Sequence, residues 1–312
     1  MIKKADELKV VLAYTAVCIF WGSTYLAMRV AASQFPPELF AGIRFILAGL
    51  IMLGFSIVKR YKFPSSSSEI IKASIPGILM LLLGNGLIMW AEQWVHSGIT
   101  AVLIAATPLF TAGIEAMVLK ESKVGPLGWL CLIVGFVGVS MLIFTGMGVG
   151  SIDIKGGVIV LMAAVFGSIG MVCSKKIKVN SDIFPQVGIQ MLTAGIGLSC
   201  VGIAIGEGAK VHLNYSILLS LVYLVIFGSI IGYTSNIYVL SKWPASIASS
   251  SNYVTPVVAV ILGALILNEK VSLRMIFFMG MTLGGVILLQ LYKNSWSKKK
   301  WLEECGNKEE QS

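Results

Sequence analysis

Charge is scarce in this sequence. Charged residues make up 12% of its 312 positions, where soluble domains carry about 25%. Histidine occurs only at His96 and His212, too few and too far apart for a metal centre. No GxxxxGK[ST] loop is present, which argues against an ATP-driven pump. No Ser-His-Asp constellation or cluster of metal ligands is evident either. Of the five cysteines (Cys18, Cys131, Cys173, Cys200 and Cys305), four lie within apolar stretches and none forms a Cys-x-x-Cys pair. They read as small core residues rather than disulfides or ligands.

What fills the chain instead is apolar: 56% hydrophobic residues and a mean hydropathy of +0.87. A soluble globule of this length cannot hide that much apolar surface from water. The composition therefore predicts an all-α membrane protein whose main partner is the lipid bilayer. The net charge of +9 could suggest nucleic acid in a soluble chain. Here the lysines crowd short loops and the tail, so no nucleic-acid partner and no cofactor are expected. The first apolar run follows Lys3, Lys4 and Lys9 and ends in Arg29 rather than a small-residue cleavage site, so it reads as an uncleaved first span.

Ten stretches can cross a bilayer, each near the roughly 20 apolar residues required. They are about 10–31, 36–58, 70–93, 98–119, 124–145, 156–176, 183–205, 216–239, 246–267 and 272–292. Pro36 and Pro37 open the second, where a missing N–H costs little. The tail, 293–312, is polar, basic and then acidic, and is expected to be solvated. With the amino terminus inside, eighteen Lys and Arg residues fall in cytoplasmic segments and four (Lys155, Lys210, Lys270 and Arg274) fall outside. That bias predicts a multi-pass protein of the cell membrane with both termini cytoplasmic.

The chain also repeats itself. Ile19-Phe20-Trp21-Gly22-Ser23 matches Ala164-Val165-Phe166-Gly167-Ser168, and Arg44 to Gly49 matches Gln190 to Gly195. Gly98-Ile99 and Thr107-Pro108 match Ser246-Ile247 and Thr255-Pro256. Leu119-Lys120-Glu121 matches Leu267-Asn268-Glu269, and the offset stays near 145–148 residues throughout. Two units follow, 10–146 and 156–292, each with five spans. Five is odd, so the second unit enters the membrane upside down. Inverted repeats of this kind build secondary transporters, with a site near the midplane between the halves.

The same residues resemble the ten-helix, EamA-type branch of the drug/metabolite transporter superfamily. Phe20-Trp21-Gly22-Ser23-Thr24, Arg44-Phe45-Ile46-Leu47-Ala48-Gly49, Ser97 to Ala101, Thr107 to Thr111 with Glu121, and Ala248 to Pro256 with Glu269 carry the likeness. It spans about residues 10–292. It implies a central cavity and export of amino acids, related small metabolites or lipophilic drugs. One departure stands out: Gln190 occupies the place of Arg44 in the second repeat.

Candidate site residues follow from polar groups inside apolar spans. Arg44 lies about two turns inside its span and reads either as a contact for a substrate carboxylate or as a structural pair between helices. Trp21, Thr24, Tyr25 and Met28 share one helix face, as do Asn85, Glu92 and His96. Ser229, Tyr233 and Asn236 share another, with Ser249, Asn252 and Pro256 in the ninth span. The expected cavity wall is Trp21, Thr24, Tyr25, Arg44, Asn85, Glu92, Tyr233, Asn236 and Asn252. Glu92 and Glu115 are the candidates for proton coupling. Glu115 alternatively gates the inner mouth or, more simply, reaches the lipid headgroups. Pro108 and Pro256 hold equivalent places and each frees a carbonyl, at Ile104 and Asn252, to shape a kink. Gly228-x-x-x-Gly232 and Gly280-x-x-x-Gly284 read as close helix contacts. Two alternatives stand beside transport. A lipid-modifying membrane enzyme would need a catalytic cluster, for which His96 with Glu92 is the one candidate pair. A scaffold or receptor would need no inverted duplication.

Overall fold

A computed structural model describes residues 4–309 except 33, 92–94, 96–99, 101–102, 120–123, 147–153, 208–213 and 268–271. Side chains are further left out at 4–5, 25–26, 29–30, 32, 143–146, 259, 263–264, 266–267 and 292–309. The described residues form helices and the segments that join them, with no strand among them. We label the helices α1 Lys4–Ala32, α2 Pro37–Val58, α3 Ser67–Ala91, α4 Thr107–Val118, α5 Pro126–Gly146, α6 Ile154–Lys176, α7 Ile183–Ala204 and α8 Tyr215–Lys242. The helix α9 begins as the short turn Ala245–Ala248 and continues over Ser251–Leu267, and α10 is Leu273–Glu309. Among the described residues, seven helices are long and apolar enough to cross a membrane, and Pro126–Leu142 is a shorter apolar one. The remaining two expected spans are the 29-residue α1 and α4, described over 12 residues. The expected solvated tail continues the helix: α10 runs 37 residues, roughly 55 Å at 1.5 Å per residue.

The helix ends follow local chemistry. Pro36 caps α2 and Pro37 takes its first turn, as the sequence suggests. Ser66 accepts from the Glu69 amide at the start of α3, and Asn214 accepts from the Ile217 amide at the start of α8. These caps sit at equivalent places in the two repeats. So do the stops of α2 and α7, where Arg60 (φ 55°) and Gly206 (φ 79°) adopt the left-handed conformation that ends a helix. Glycine adopts it without strain and arginine at a cost of about 1 kcal/mol. Gly206→Ala is therefore expected to lower the apparent melting temperature in detergent by a few degrees, and Arg60→Gly to raise it by a similar amount; thermal unfolding of the two variants beside the parent checks the sign of each.

Packing obeys the repeat. The helices α1 and α8 pack together, as do α6 and α3, their equivalents; α1 packs on α9 as α6 packs on α4. The pairs α2–α7, α4–α9 and α5–α10 map onto themselves when the repeats exchange. The helix α2 runs antiparallel to α7. At one end Glu207, just past α7, accepts from the Glu38 and Leu39 amides that open α2. At the other, the Asp182 carboxylate before α7 accepts from the Lys62 amide beyond α2. A pseudo-twofold axis thus passes through this pair.

Lipid supplies no hydrophobic drive between helices, so close approach and dispersion must hold the seam. Gly42 and Gly49 stand two turns apart on α2, and their equivalents Gly188 and Gly195 stand likewise on α7. A Cβ on Gly49 would lie 2.7 Å from the Leu192 nitrogen and 3.0 Å from the Gly188 oxygen. One on Gly195 would lie 2.6 Å from the Ile46 nitrogen and 2.9 Å from the Gly42 oxygen. Phe45, Met191, Ala194 and Leu198 fill the core around the seam, while Leu50, Ile51, Val58, Leu218 and Leu219 face outward, as a surface toward lipid requires. Of the glycine motifs singled out in the sequence, a Cβ on Gly280 or Gly284 would meet nothing within 4 Å among the described residues; Gly285 instead packs on Gly135. Cys200 is exposed rather than a core residue.

Candidate functional site

Two helices depart from α geometry at matching places. Ile78–Asn85 of α3 and Leu224–Tyr233 of α8 wind as π-helix. A π turn shifts hydrogen bonds to i→i+5, widens the helix and is frequent at functional sites. The Gly228 carbonyl in the α8 segment accepts from the Trp21 indole N–H at 3.2 Å. Residue order gives no periodic signal for such a segment, and the sequence reading missed both.

Two further helices carry proline at matching places in the repeats. Pro108 lies in the first turn of α4, after a turn at Ala105–Ala106, so it starts a helix and does not kink one. Pro256 lies inside α9. Each freed carbonyl finds the same partner type: Thr107 Oγ1 donates to the Ile104 oxygen at 2.6 Å, and Thr255 Oγ1 donates to the Asn252 oxygen at 3.4 Å. The Thr-Pro pairs shared by the repeats thus carry their own repair of the missing bond.

These four irregular helices surround a cavity of about 170 Å³. Trp21, Thr24 and Met28 of α1 line it, with Arg44 and Phe45 of α2 and Met80, Leu81, Gly84, Asn85 and Ile88 of α3. Thr100, Ile104 and Thr107 contribute from the fourth span, and Ala163, Ala164, Gly167 and Met171 from α6. Gly228 and Tyr233 of α8 and Asn252 and Thr255 of α9 close it. The wall therefore draws on α1 with its equivalent α6, α3 with α8, and the fourth span with α9. The helix α2 enters without its counterpart α7.

The cavity is apolar with a few directed groups. Arg44 is 6% exposed. Its Nε donates to Ser229 Oγ at 2.8 Å, and its guanidinium carbon lies 4.9 Å from the Phe45 ring centroid. No carboxylate among the described residues pairs with it; their one ion pair is Lys9–Asp6. The side chain thus bridges α2 to α8 through Nε, and no hydrogen bond of its terminal nitrogens is seen among the described residues. Gln190, its counterpart, is neutral and buried and accepts from the Tyr233 hydroxyl at 2.8 Å. The substitution of Gln for Arg between the repeats makes the cavity electrostatically one-sided. Among the described residues, Asn85 Oδ1 and Thr100 Oγ1 are buried on this wall without a hydrogen-bond partner.

The candidates separate accordingly. Trp21, Thr24, Arg44, Asn85, Tyr233 and Asn252 stand on the cavity wall. Asn236 does not: it is buried away from the wall, with its Nδ2 unpartnered among the described residues. The side chain of Tyr25, and Glu92 and His96 altogether, lie outside the described residues, and so does any pairing of Glu92 with Arg44. Glu115 lies off the cavity and does not reach toward headgroups. It is 0% exposed, and its two oxygens accept from the Ala245 and Ser246 amides at 2.8 and 2.9 Å, capping the start of α9. Beside it Lys175 Nζ donates to the Trp243 oxygen at 2.8 Å, and the Trp243 ring meets Tyr14. Sequence spacing put Ser229 on one face with Tyr233 and Asn236, and the repeat marked Gln190 as the counterpart of Arg44, but neither was expected to anchor the wall, and spacing gave no signal for Thr100. Among the described residues no group of three His, Cys, Asp or Glu side chains is arranged to hold a metal.

Comparison with known proteins agrees with this architecture. Two stretches, 8–144 and 154–291, match the EamA-like transporter family. The chain is 33% identical over 282 residues to the uncharacterized inner membrane transporter YedA of Escherichia coli K12, covering 90% of each. It is 25% identical over 295 residues to the uncharacterized transporter YdfC of Bacillus subtilis, covering 95% of each. A crystal structure of a protein at 17% identity superimposes with a TM-score of 0.76, over 92% of this chain and 98% of the other, and supports the fold alone.

Proposed function

We propose, from the premise that this chain belongs to the EamA-like transporter family, that it is a secondary transporter exporting small metabolites by alternating access. The observation that carries this reading is the cavity at the seam of the repeats, walled by equivalent helices from both. Two oppositely oriented halves around one site give inward-open and outward-open states of comparable energy. In this reading the units 10–146 and 156–292 rock against each other with both termini cytoplasmic. Trp21, Thr24, Arg44, Asn85, Tyr233 and Asn252 contact the solute, and Tyr25 adjoins them on sequence spacing, while Glu92 follows Asn85 by seven residues, two helical turns beyond that wall. The family resemblance brings amino acids, related small metabolites and lipophilic drugs into consideration as solutes, and the charge of the wall narrows that range.

Proton coupling belongs to the same reading. Glu115 is engaged by two backbone amides, which leaves Glu92 as the carboxylate better suited to cycle a proton. The test is efflux from proteoliposomes holding the full chain and loaded with labelled amino acids, organic acids and lipophilic dyes. Saturable efflux of at least one solute, above protein-free vesicles, is the expected result. An imposed pH gradient should change its rate several-fold, and a rate indifferent to the gradient would leave exchange in place of coupling. No protein-dependent flux for any solute would remove the transport reading.

A further inference from the structure

The cavity carries one formal positive charge and nothing among the described residues to offset it. The described wall includes no Asp, Glu, Lys or His. The counterpart of Arg44 is the neutral Gln190, which is itself engaged with Tyr233. A guanidinium within the membrane costs about 3 kcal/mol unless it is paired. Its Nε is held by Ser229, which fixes the plane of the fork, and the Phe45 ring packs against it. That arrangement leaves the terminal nitrogens for a planar oxyanion, the partner such a fork fits best.

The rest of the wall sets the body of the solute. Trp21, Met28, Met80 and Met171 present apolar and polarisable surface. The volume of about 170 Å³ is close to the roughly 150 Å³ of an engineered cavity that holds benzene, so the body is compact, of the size of one ring. Asn85 Oδ1 is an acceptor without a donor, and Thr100 Oγ1 is a hydroxyl without a partner. An ammonium would call for a carboxylate on the wall, and the described wall has none. A neutral O–H or N–H on the solute satisfies Asn85 without adding charge.

We infer that the solute is a small organic monoanion, a single carboxylate on Arg44 with a compact apolar body and one neutral hydrogen-bond donor, rather than a zwitterion or a cation. The inference rests on the transport reading only in taking this cavity as the solute site.

The experiment uses the purified full chain and four probes of one skeleton: 3-phenyllactate (anion), phenylalanine (zwitterion), 3-phenylpropanamide (neutral) and phenethylamine (cation). Binding is measured by equilibrium dialysis in detergent, in gluconate buffer so that chloride does not compete for Arg44. Phenyllactate is expected to bind at least tenfold more tightly than the other three. Arg44→Gln is expected to remove that preference, bringing phenyllactate within about twofold of the amide, and Arg44→Lys to restore part of it. The ranking in the parent protein needs no variant, so a misfolded Arg44→Gln would not blunt the test. Tighter binding of phenylalanine or phenethylamine, no binding of any probe, or binding of chloride without any carboxylate would each overturn the inference. Flux of the same probes in proteoliposomes separates the two readings. Charge-ranked binding without flux sinks transport and keeps the anion site, whereas flux blind to charge keeps transport and sinks the anion site.

Discussion

Gly49→Ala and Gly195→Ala are each expected to lower the apparent melting temperature by several degrees, although each adds only one methyl group. The methyl would stand 2.7 Å from the Leu192 nitrogen in the first case and 2.6 Å from the Ile46 nitrogen in the second. Both neighbours are backbone atoms, so no side chain can swing aside; the helices must part. Overpacking of this kind costs typically 1–3 kcal/mol, and parting α2 from α7 also loses dispersion along the seam where the repeats join. The contacts Gly49–Gly188 and Gly42–Gly195 lie two turns apart, roughly 10 Å at 1.5 Å per residue, so the losses in a double variant should nearly add. Gly54 supplies the control. It lies on the same helix, and a Cβ there meets nothing within 4 Å. Gly54→Ala should leave stability unchanged or raise it by about 0.5–1 kcal/mol, as expected for removing a helical glycine. Melting curves of the four variants in one detergent decide the matter; equal losses at 49, 54 and 195 would refute the seam.

The second large effect is expected at Glu115. Its carboxylate closes the Ala245 and Ser246 amides in a site that water does not reach. Glu115→Ala leaves two buried N–H groups without an acceptor, at about 1–3 kcal/mol each. It also removes a negative charge from a helix start, where the dipole favours one. Melting should fall by roughly 4–24 °C, at about 2–4 °C per kcal/mol. Glu115→Gln keeps one acceptor oxygen and should lose about half as much. The loss should also be local. The carboxylate joins α4 of the first repeat to α9 of the second, and the matching residue at the far end of α9 is Gly263, which offers no such group. A cysteine at Ser246, buried in the parent, should therefore react several-fold faster with a hydrophilic maleimide once Glu115 is replaced. Unchanged melting together with unchanged labelling would show that the carboxylate holds nothing in place.

Much of the architecture could be read from residue order. Apolar runs of spanning length, the Pro36-Pro37 start and the steady offset between halves are properties of the chain that no tertiary contact needs to supply. Arg44 and Asn85 stood out because polar groups are rare inside apolar spans. The limits were set by rotation and approach. Asn236 and Asn252 look alike in sequence, yet the turn of each helix puts one behind the cavity and the other on its wall. Glu115 could not be placed before α9 was known to start against it. The seam glycines are four among 33, and nothing local distinguishes Gly49, which touches a backbone, from Gly284, which touches nothing among the described residues. The π segments are silent in sequence because no residue type marks the shift from i→i+4 to i→i+5 bonding.

The threonine before each proline has a mechanical consequence. A backbone carbonyl held by an amide is fixed by the winding of the whole helix, whereas one held by a hydroxyl follows a single rotatable bond. At Ile104 and Asn252 the chain can bend while the acceptor stays occupied, so flexing there strands no carbonyl in oil. Two matched joints of this kind, one in each half, leave the chain free to bend where it borders the cavity.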